Sequence, residues 1–277
     1  MPEPADRDIF NNRVRHYAEI LNDLFDPNPF MNSERLFEFV CALVRSGGIQ
    51  GPGWDPWYES QAVIDDLHNF ATLELPPDKF PDAERTRVRL ALLSYCHVTE
   101  MDLPYLILAN LLGLRLGKKY DINPFADLAK PIGKKQGFLQ KVKPPAPGQK
   151  IKRIRELAEK AKMPNIGEAL NEIYDGIIRN AVYHSDYVLH ERNMHLLKGH
   201  RFSKGHGSQV VNFDELSELI TDSFAFYTAL FSLYERCRCS FVDFKNVFIP
   251  YDLHYKGLME LVFDIEERLV RVGVKEG

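Results

Sequence analysis

Cysteine is scarce in this chain: four residues, at 41, 96, 237 and 239, out of 277. They are too few and too scattered to staple a secreted fold. Cys237 and Cys239 lie close together, but no second pair completes a zinc site. All four are expected as reduced thiols in a cytoplasmic protein. Long apolar runs are missing too. LPYLILANLLGLRLG, residues 103–117, is the most apolar stretch, and it is shorter than the ~20 residues a spanning helix needs. No membrane partner is expected. MPEPADRDIFNNR, at the start, lacks the apolar h-region of a secretory leader. There is no P-loop, no G-x-G-x-x-G and no G-x-S-x-G, so nucleotide hydrolysis and serine-hydrolase chemistry have no support. No cofactor and no metal is expected, and no internal repeat is present.

What is there is ordinary globular composition, with an aromatic share of 12% that fills a core without disulfides. The net charge of −4 argues against a globally basic nucleic-acid binder. Its distribution is uneven. From Lys130 to Lys162 eleven basic residues face two acids, so that segment is +9 and the remainder −13. Such asymmetry fits a basic surface that meets an anionic partner, or a solvated linker followed by an exposed helix face.

Helical spacing runs through most of the chain. A first helix is expected over Asp8–Phe25, stopping at the DPNP turn, and a second over ERLFEFVCALVR, capped by Asn32 or Ser33 and closed by Gly47-Gly48. A third spans about Tyr58–Phe70, and a long one Ala83–Glu100. Asp102 caps LPYLILANLLGLRL, with Pro104 in its first turn and Gly117 at its end. Residues 118–150, with five prolines, read as a connector with little structure of its own. A helix begins at about 150. Asn165 caps one continuous helix, IGEALNEIYDGIIRNAVYH. VLHERNMHLLKG and GSQVVNF then read as strands around the turn-rich KGHRFSKGHGS. Asn212 or Asp214 caps the last long helix, ELSELITDSFAFYTALFSLYERC, and a short tail containing LMELVFDIEERLV follows. The class is mainly α: a helical bundle with a small β-hairpin-like insertion before the last long helix. Residues 1–82 form an N-terminal helical region, and 83–277 a helical domain that includes the connector.

Within IIRNAVYHSDY, residues 177–187, an arginine, an asparagine and a histidine sit in an apolar frame at a helix end. Arg179 and His184 make an Arg-x4-His pattern, which as a bare pattern is weak: Arg201 and His206 make a second match in a glycine-rich loop. Context favours the first. RNAVYHSDY resembles the signature of the HEPN superfamily, helical proteins with Arg-x4-6-His and often a polar residue after the arginine. The resemblance covers about residues 165–236, including the helix leading in, the hairpin-like insertion and the helix that follows. It implies a dimeric endoribonuclease, cytoplasmic, of the kind found in bacterial toxin, antiphage or stress-response systems, with RNA as substrate and an antitoxin or regulatory protein as a further partner.

The chemistry such residues serve is RNA cleavage without a metal. A 2′-hydroxyl attacks its neighbouring phosphodiester, and histidine takes or gives the proton. A fixed arginine holds the phosphate and stabilises charge in the transition state. The expected roles are Arg179 for phosphate, His184 for acid/base work and Asn180 as the orienting neighbour. Lys150, Lys152, Arg153, Arg155 and Tyr187 are expected to bind RNA. One histidine is thin for a reaction that moves two protons. Dimerisation through this helix, common in the family, brings two Arg-His sets into one cleft. Five residues of helix turn about 140° beyond a full circle, so Arg179 and His184 do not share a face, whereas Asn180 and His184 do.

The structural alternative pairs Arg179 with Asp175 or Asp186 and leaves His184 as an ordinary helix-end residue, in a non-catalytic module that binds a protein, RNA or nucleotide. Five histidines cluster at 184, 190, 195, 200 and 206. HERNMH is one residue longer than H-E-x-x-H, and within one strand His190 and His195 would face opposite sides, so a polar, RNA-facing hairpin is preferred to a metal site, and a plain surface loop to either. Family members with a regulatory tyrosine place it two residues after the histidine; Tyr187 is three after, a departure that weakens that parallel.

Overall fold

The computed structural model describes residues 4–30, 35–44, 59, 62–66, 69, 75–76, 78–132, 142–204, 207–240, 247–248, 258–264 and 269–274. The expected Gly47-Gly48 stop, most of the Tyr58–Phe70 helix and His206 lie outside them.

The principal helices in chain order are α1 (Pro4–Asn22), α2 (Arg35–Val44), α3 (Ala83–Glu100), α4 (Asp102–Arg115), α5 (Pro147–Lys160), α6 (Pro164–Ile173), α7 (Gly176–Tyr183) and α8 (Phe213–Cys239). Among the described residues, three small antiparallel sheets accompany them. β1 (Lys130–Pro131) pairs with β2 (Val142–Lys143). β3 (Tyr187–His190), β4 (Asn193–Leu196) and β5 (Val210–Asn212) form a meander. β6 (Val247–Phe248), β7 (Leu258–Asp264) and β8 (Leu269–Val274) form a second one. The class is therefore mainly α, with a small strand insertion before the last long helix. The β6–β8 strands were not expected.

The chain forms two compact units. One comprises Met1–Tyr17, Trp57–Met101 and Glu168–Ala229, the other Ala18–Pro56, Asp102–Gly167 and Leu230–Gly277. In the second unit, α4 is buried along nearly its whole length, from Leu103 to Leu114, and packs on α2 and α5. That explains why its sequence is apolar on every side. No helix among the described residues is long and apolar enough to cross a membrane. Gly117, at φ +82°, ends α4: Lys118 N–H donates to the Gly113 carbonyl at 2.9 Å and Gly117 N–H to that of Leu114 at 3.0 Å. This is the left-handed cap that glycine favours. The helix expected at 150 begins at Pro147, where Pro suits the first turn and the Gln149 side chain accepts from Ala146 N–H at 3.1 Å.

In the first unit, one cluster joins α3, α7, the β3–β5 sheet and the start of α8: Leu92, Tyr95, Cys96, Ile178, Ala181, Val182, Leu189, Met194, Leu196, Phe202, Val211, Phe213, Leu216 and Leu219. Asn212 is the cap of α8. Its Oδ1 accepts from Glu215 N–H at 2.7 Å while Glu215 accepts from Asn212 N–H at 3.0 Å, a reciprocal capping box.

Two expectations are corrected here. The single helix over 166–184 is two helices, broken at Tyr174-Asp175. Asp175 has extended backbone, and its carboxylate accepts from the N–H groups of Ile177 at 2.8 Å and Ile178 at 3.0 Å. An aspartate that caps a new helix cannot continue the old one. The insertion also turns earlier than expected. Glu191 and Arg192 form a two-residue hairpin turn, with Glu191 at φ +50°, between Tyr187–His190 and Asn193–Leu196.

Candidate functional site

The Arg179–His184 stretch occupies α7, a helix of eight residues held at both ends. At its start Asp175 does more than cap. Its second carboxylate oxygen accepts from Ser203 N–H at 3.2 Å and from the Ser203 hydroxyl. Its backbone N–H donates to the Tyr95 hydroxyl at 2.7 Å, and that hydroxyl donates back to the Asp175 carbonyl at 3.4 Å. The start of α7 is thus bonded to α3 and to the loop after β4. Asp175 and Tyr95 are buried, and burial raises the tyrosine pKa well above its ordinary value. Further along, the Cys96 thiol donates to the Arg179 carbonyl at 3.8 Å.

The end of α7 closes in a Schellman motif. Ser185 takes the left-handed position at φ +53°. Asp186 N–H donates to the Ala181 carbonyl at 2.8 Å and Ser185 N–H to that of Val182 at 3.2 Å. His184 is the C-cap and its side chain is exposed.

Arg179 is half-buried and engaged on three sides. One Nη pairs with Glu100, the last residue of α3. The other donates to Asn180 Oδ1 at 2.8 Å. The guanidinium lies over the Tyr183 ring at 4.8 Å. Arg179 Nε and Glu100 Oε1 are buried without a hydrogen-bond partner, so the pair with Glu100 is a charge contact lacking hydrogen-bond alignment. The carboxylate that meets Arg179 is therefore neither Asp175, which caps α7, nor Asp186. Glu100 went unnoticed in the sequence because nothing local links position 100 to position 179; only the packing of α7 on α3 does.

Asp186 is buried and has its own partners. Lys198 pairs with it, and His200 Nε2 lies 3.8 Å from its other oxygen. The Lys198 ammonium holds the carboxyl below the usual carboxylate range, and His200 and His184 add to that pull. Tyr187 is half-buried against the core cluster, and burial raises its pKa.

His190 and His195 stand on one face of the sheet. They lie in opposing strands, with Val188 opposite His195 and Asn193 opposite His190. Their rings meet edge to face with centroids 6.1 Å apart. The expectation of opposite faces assumed one strand and fails because the hairpin turn separates them. Among the described residues no group of three or more metal-ligating side chains occurs.

Lys150, Lys152, Arg153 and Arg155 all lie on α5, in the other unit. Lys150 is buried, paired with Asp102 and 5.8 Å from the Tyr105 ring centroid. Arg153 binds Asp127 at 2.6 Å and 3.3 Å. Lys152 and Arg155 are exposed. The structure therefore groups Arg179 with Asn180, Tyr183 and Glu100 at the middle of α7, leaves His184 exposed at its C-terminal end, and sets the four basic residues on a separate helix. No family model, no curated protein and no solved structure matches this chain.

Proposed function

We propose that the protein is a metal-independent endoribonuclease of HEPN type. His184 transfers a proton, Arg179 engages the phosphate, and Asn180 fixes the arginine. The observation that carries this reading is the clamped geometry of α7: an exposed histidine and a half-buried arginine are held on a two-turn helix bonded at both ends. Fixed placement is what acid/base and charge-stabilising groups require. The exposed cations of α5 attract the RNA backbone. A second copy brings a second Arg179–His184 set, and toxin or antiphage defence, with an antitoxin or regulator as partner, is the setting that suits such an activity. The test is cleavage of a mixed RNA pool in EDTA by the native protein and by His184→Ala. Cyclic-phosphate ends that vanish in the variant support the reading; intact RNA at high concentration of both removes it.

The Arg179–Glu100 pair favours a second reading, a non-catalytic helical module in which the arginine is structural. Glu100→Gln separates the two. If Arg179 serves phosphate, losing its counter-charge tightens RNA binding; if it is structural, RNA affinity is unchanged and only stability falls.

A further inference from the structure

The aromatic residues of this chain belong to the core, with one exception. Among the phenylalanines and tyrosines whose side chains are described, only Tyr183 is exposed, with 50% of its surface open. A ring left in water forgoes the burial that its kind gains elsewhere in the fold. Tyr183 is the last residue of α7, directly before His184. It follows Arg179 by four residues, so the two share a face of the helix. The Arg179 guanidinium lies over the Tyr183 ring at 4.8 Å, and Asn180 and Glu100 hold that guanidinium in turn. The ring is therefore backed on one side by a fixed cation, on a helix bonded at both ends, and still half open. A ring held in this way loses little freedom when a second flat group stacks on it. Nucleobases are such groups, and every base presents a π-face. The ring also stands between the residue assigned to phosphate and the residue assigned to proton transfer.

Resting on the ribonuclease reading, we propose that Tyr183 stacks a nucleobase beside the cleaved bond, which makes RNA with unpaired bases the substrate class. In a duplex each base is stacked within its own strand and its face is not offered. Stacking tolerates all four bases, so the selection is for unpaired nucleotides and not for one sequence. Fixing a base fixes the ribose that carries it, and with it the approach of the 2′-hydroxyl to phosphorus. Tyr183 binds and positions; its hydroxyl takes no part in proton transfer. A second copy brings its own Tyr183 with its own Arg179, so the stack fits a site assembled from two chains.

The experiment first maps the bond that native protein cleaves in a single-stranded oligoribonucleotide in EDTA. Native protein, Tyr183→Phe and Tyr183→Leu are then compared on that RNA, on its duplex, and on two versions abasic on one side or the other of the bond, each keeping its 2′-hydroxyl. Tyr183→Phe is expected to stay within about threefold of native, because it keeps the ring. Tyr183→Leu raises KM by about 5- to 150-fold, the worth of one base stack, and lowers kcat less. One of the abasic RNAs costs native protein a similar factor and costs Tyr183→Leu nothing further, a coupling that a merely structural ring would not show. The proposal falls if neither abasic RNA raises KM of native protein by more than about threefold, a result that needs no variant to fold. It falls too if the duplex is cleaved as fast as the single strand, or if Tyr183→Leu, folded like native, loses as much as native to the missing base. In each case cleavage that vanishes in His184→Ala leaves the ribonuclease reading standing. Native protein that cleaves no RNA overturns both.

Discussion

Asp175→Ala removes the capping carboxylate of α7, and the structure sets the size of the loss. One carboxylate oxygen caps Ile177 and Ile178 and the other satisfies Ser203, all in a residue only 1% exposed. Loss of an N-cap costs typically about 1 kcal/mol. Losing the bonds to Ser203 adds about 0.5–1 kcal/mol, the net worth of an ordinary hydrogen bond, because Ser203 is exposed and its donors turn to water. The expected total is about 1.5–2 kcal/mol, which in a chain of this size lowers the midpoint of thermal unfolding by about 3–8 °C. Asp175→Asn keeps one acceptor and falls between the variant and the native protein. The assay is urea unfolding followed by circular dichroism, paired with thermal melts. If Asp175→Ala lies within about 0.5 kcal/mol of native, the carboxylate is not what holds α7, and the account of the helix break is wrong.

Alkali supplies a second prediction. Burial pushes the Cys96 and Cys237 thiols from 9.0 up to about 12. The native protein therefore keeps protons that the unfolded chain releases. Stability is intact below pH 9 and falls as pH rises from 9 toward 12, with buried Tyr95 adding to the decline above its ordinary value of 10.0. A urea midpoint that stays constant between roughly pH 8 and pH 10.5 contradicts this. Third, Lys150→Met lowers stability and leaves the salt dependence of RNA binding unchanged, since Lys150 is buried on Asp102. Lys152→Ala does the reverse, reducing the salt slope by about one without loss of stability. Fluorescence anisotropy at several salt concentrations, with melts of the same samples, decides it.

The helices were legible where periodicity and punctuation agree. Asn212 caps α8 where the sequence places a capping residue before an apolar period, and Gly117 ends α4 as its position suggests. Legibility failed where a local polar group competes with a continuing period. Ile173, Ile177, Ile178 and Ala181 keep helical spacing straight through Asp175, so the pattern hid a break that Asp-Gly signals. Ser185 and Lys162 take left-handed backbone without being glycine, which hides their helix ends. The hairpin turn at Glu191-Arg192 lacks Asn-Gly or Asp-Gly, and Arg192 is held there by Glu84 and Asp214 across 108 and 22 residues of chain. Glu100 beside Arg179, and His200 beside Asp186, are contacts of tertiary packing and have no signature in sequence spacing.

The shortness of α7 governs how this region moves. A helix of two turns has almost no stability of its own in water; isolated helices below ~12 residues are marginal even with favourable sequences. Its amides are therefore expected to exchange hydrogen through the same opening that exposes Tyr95, Leu92 and the rest of the cluster, with no separate, faster fraying mode. Its alignment is then a property inherited from the core of its unit. A substitution at Tyr95 would loosen Arg179 and His184 together although it touches neither side chain, and the local opening energy of α7 would report directly on how often that pair is assembled.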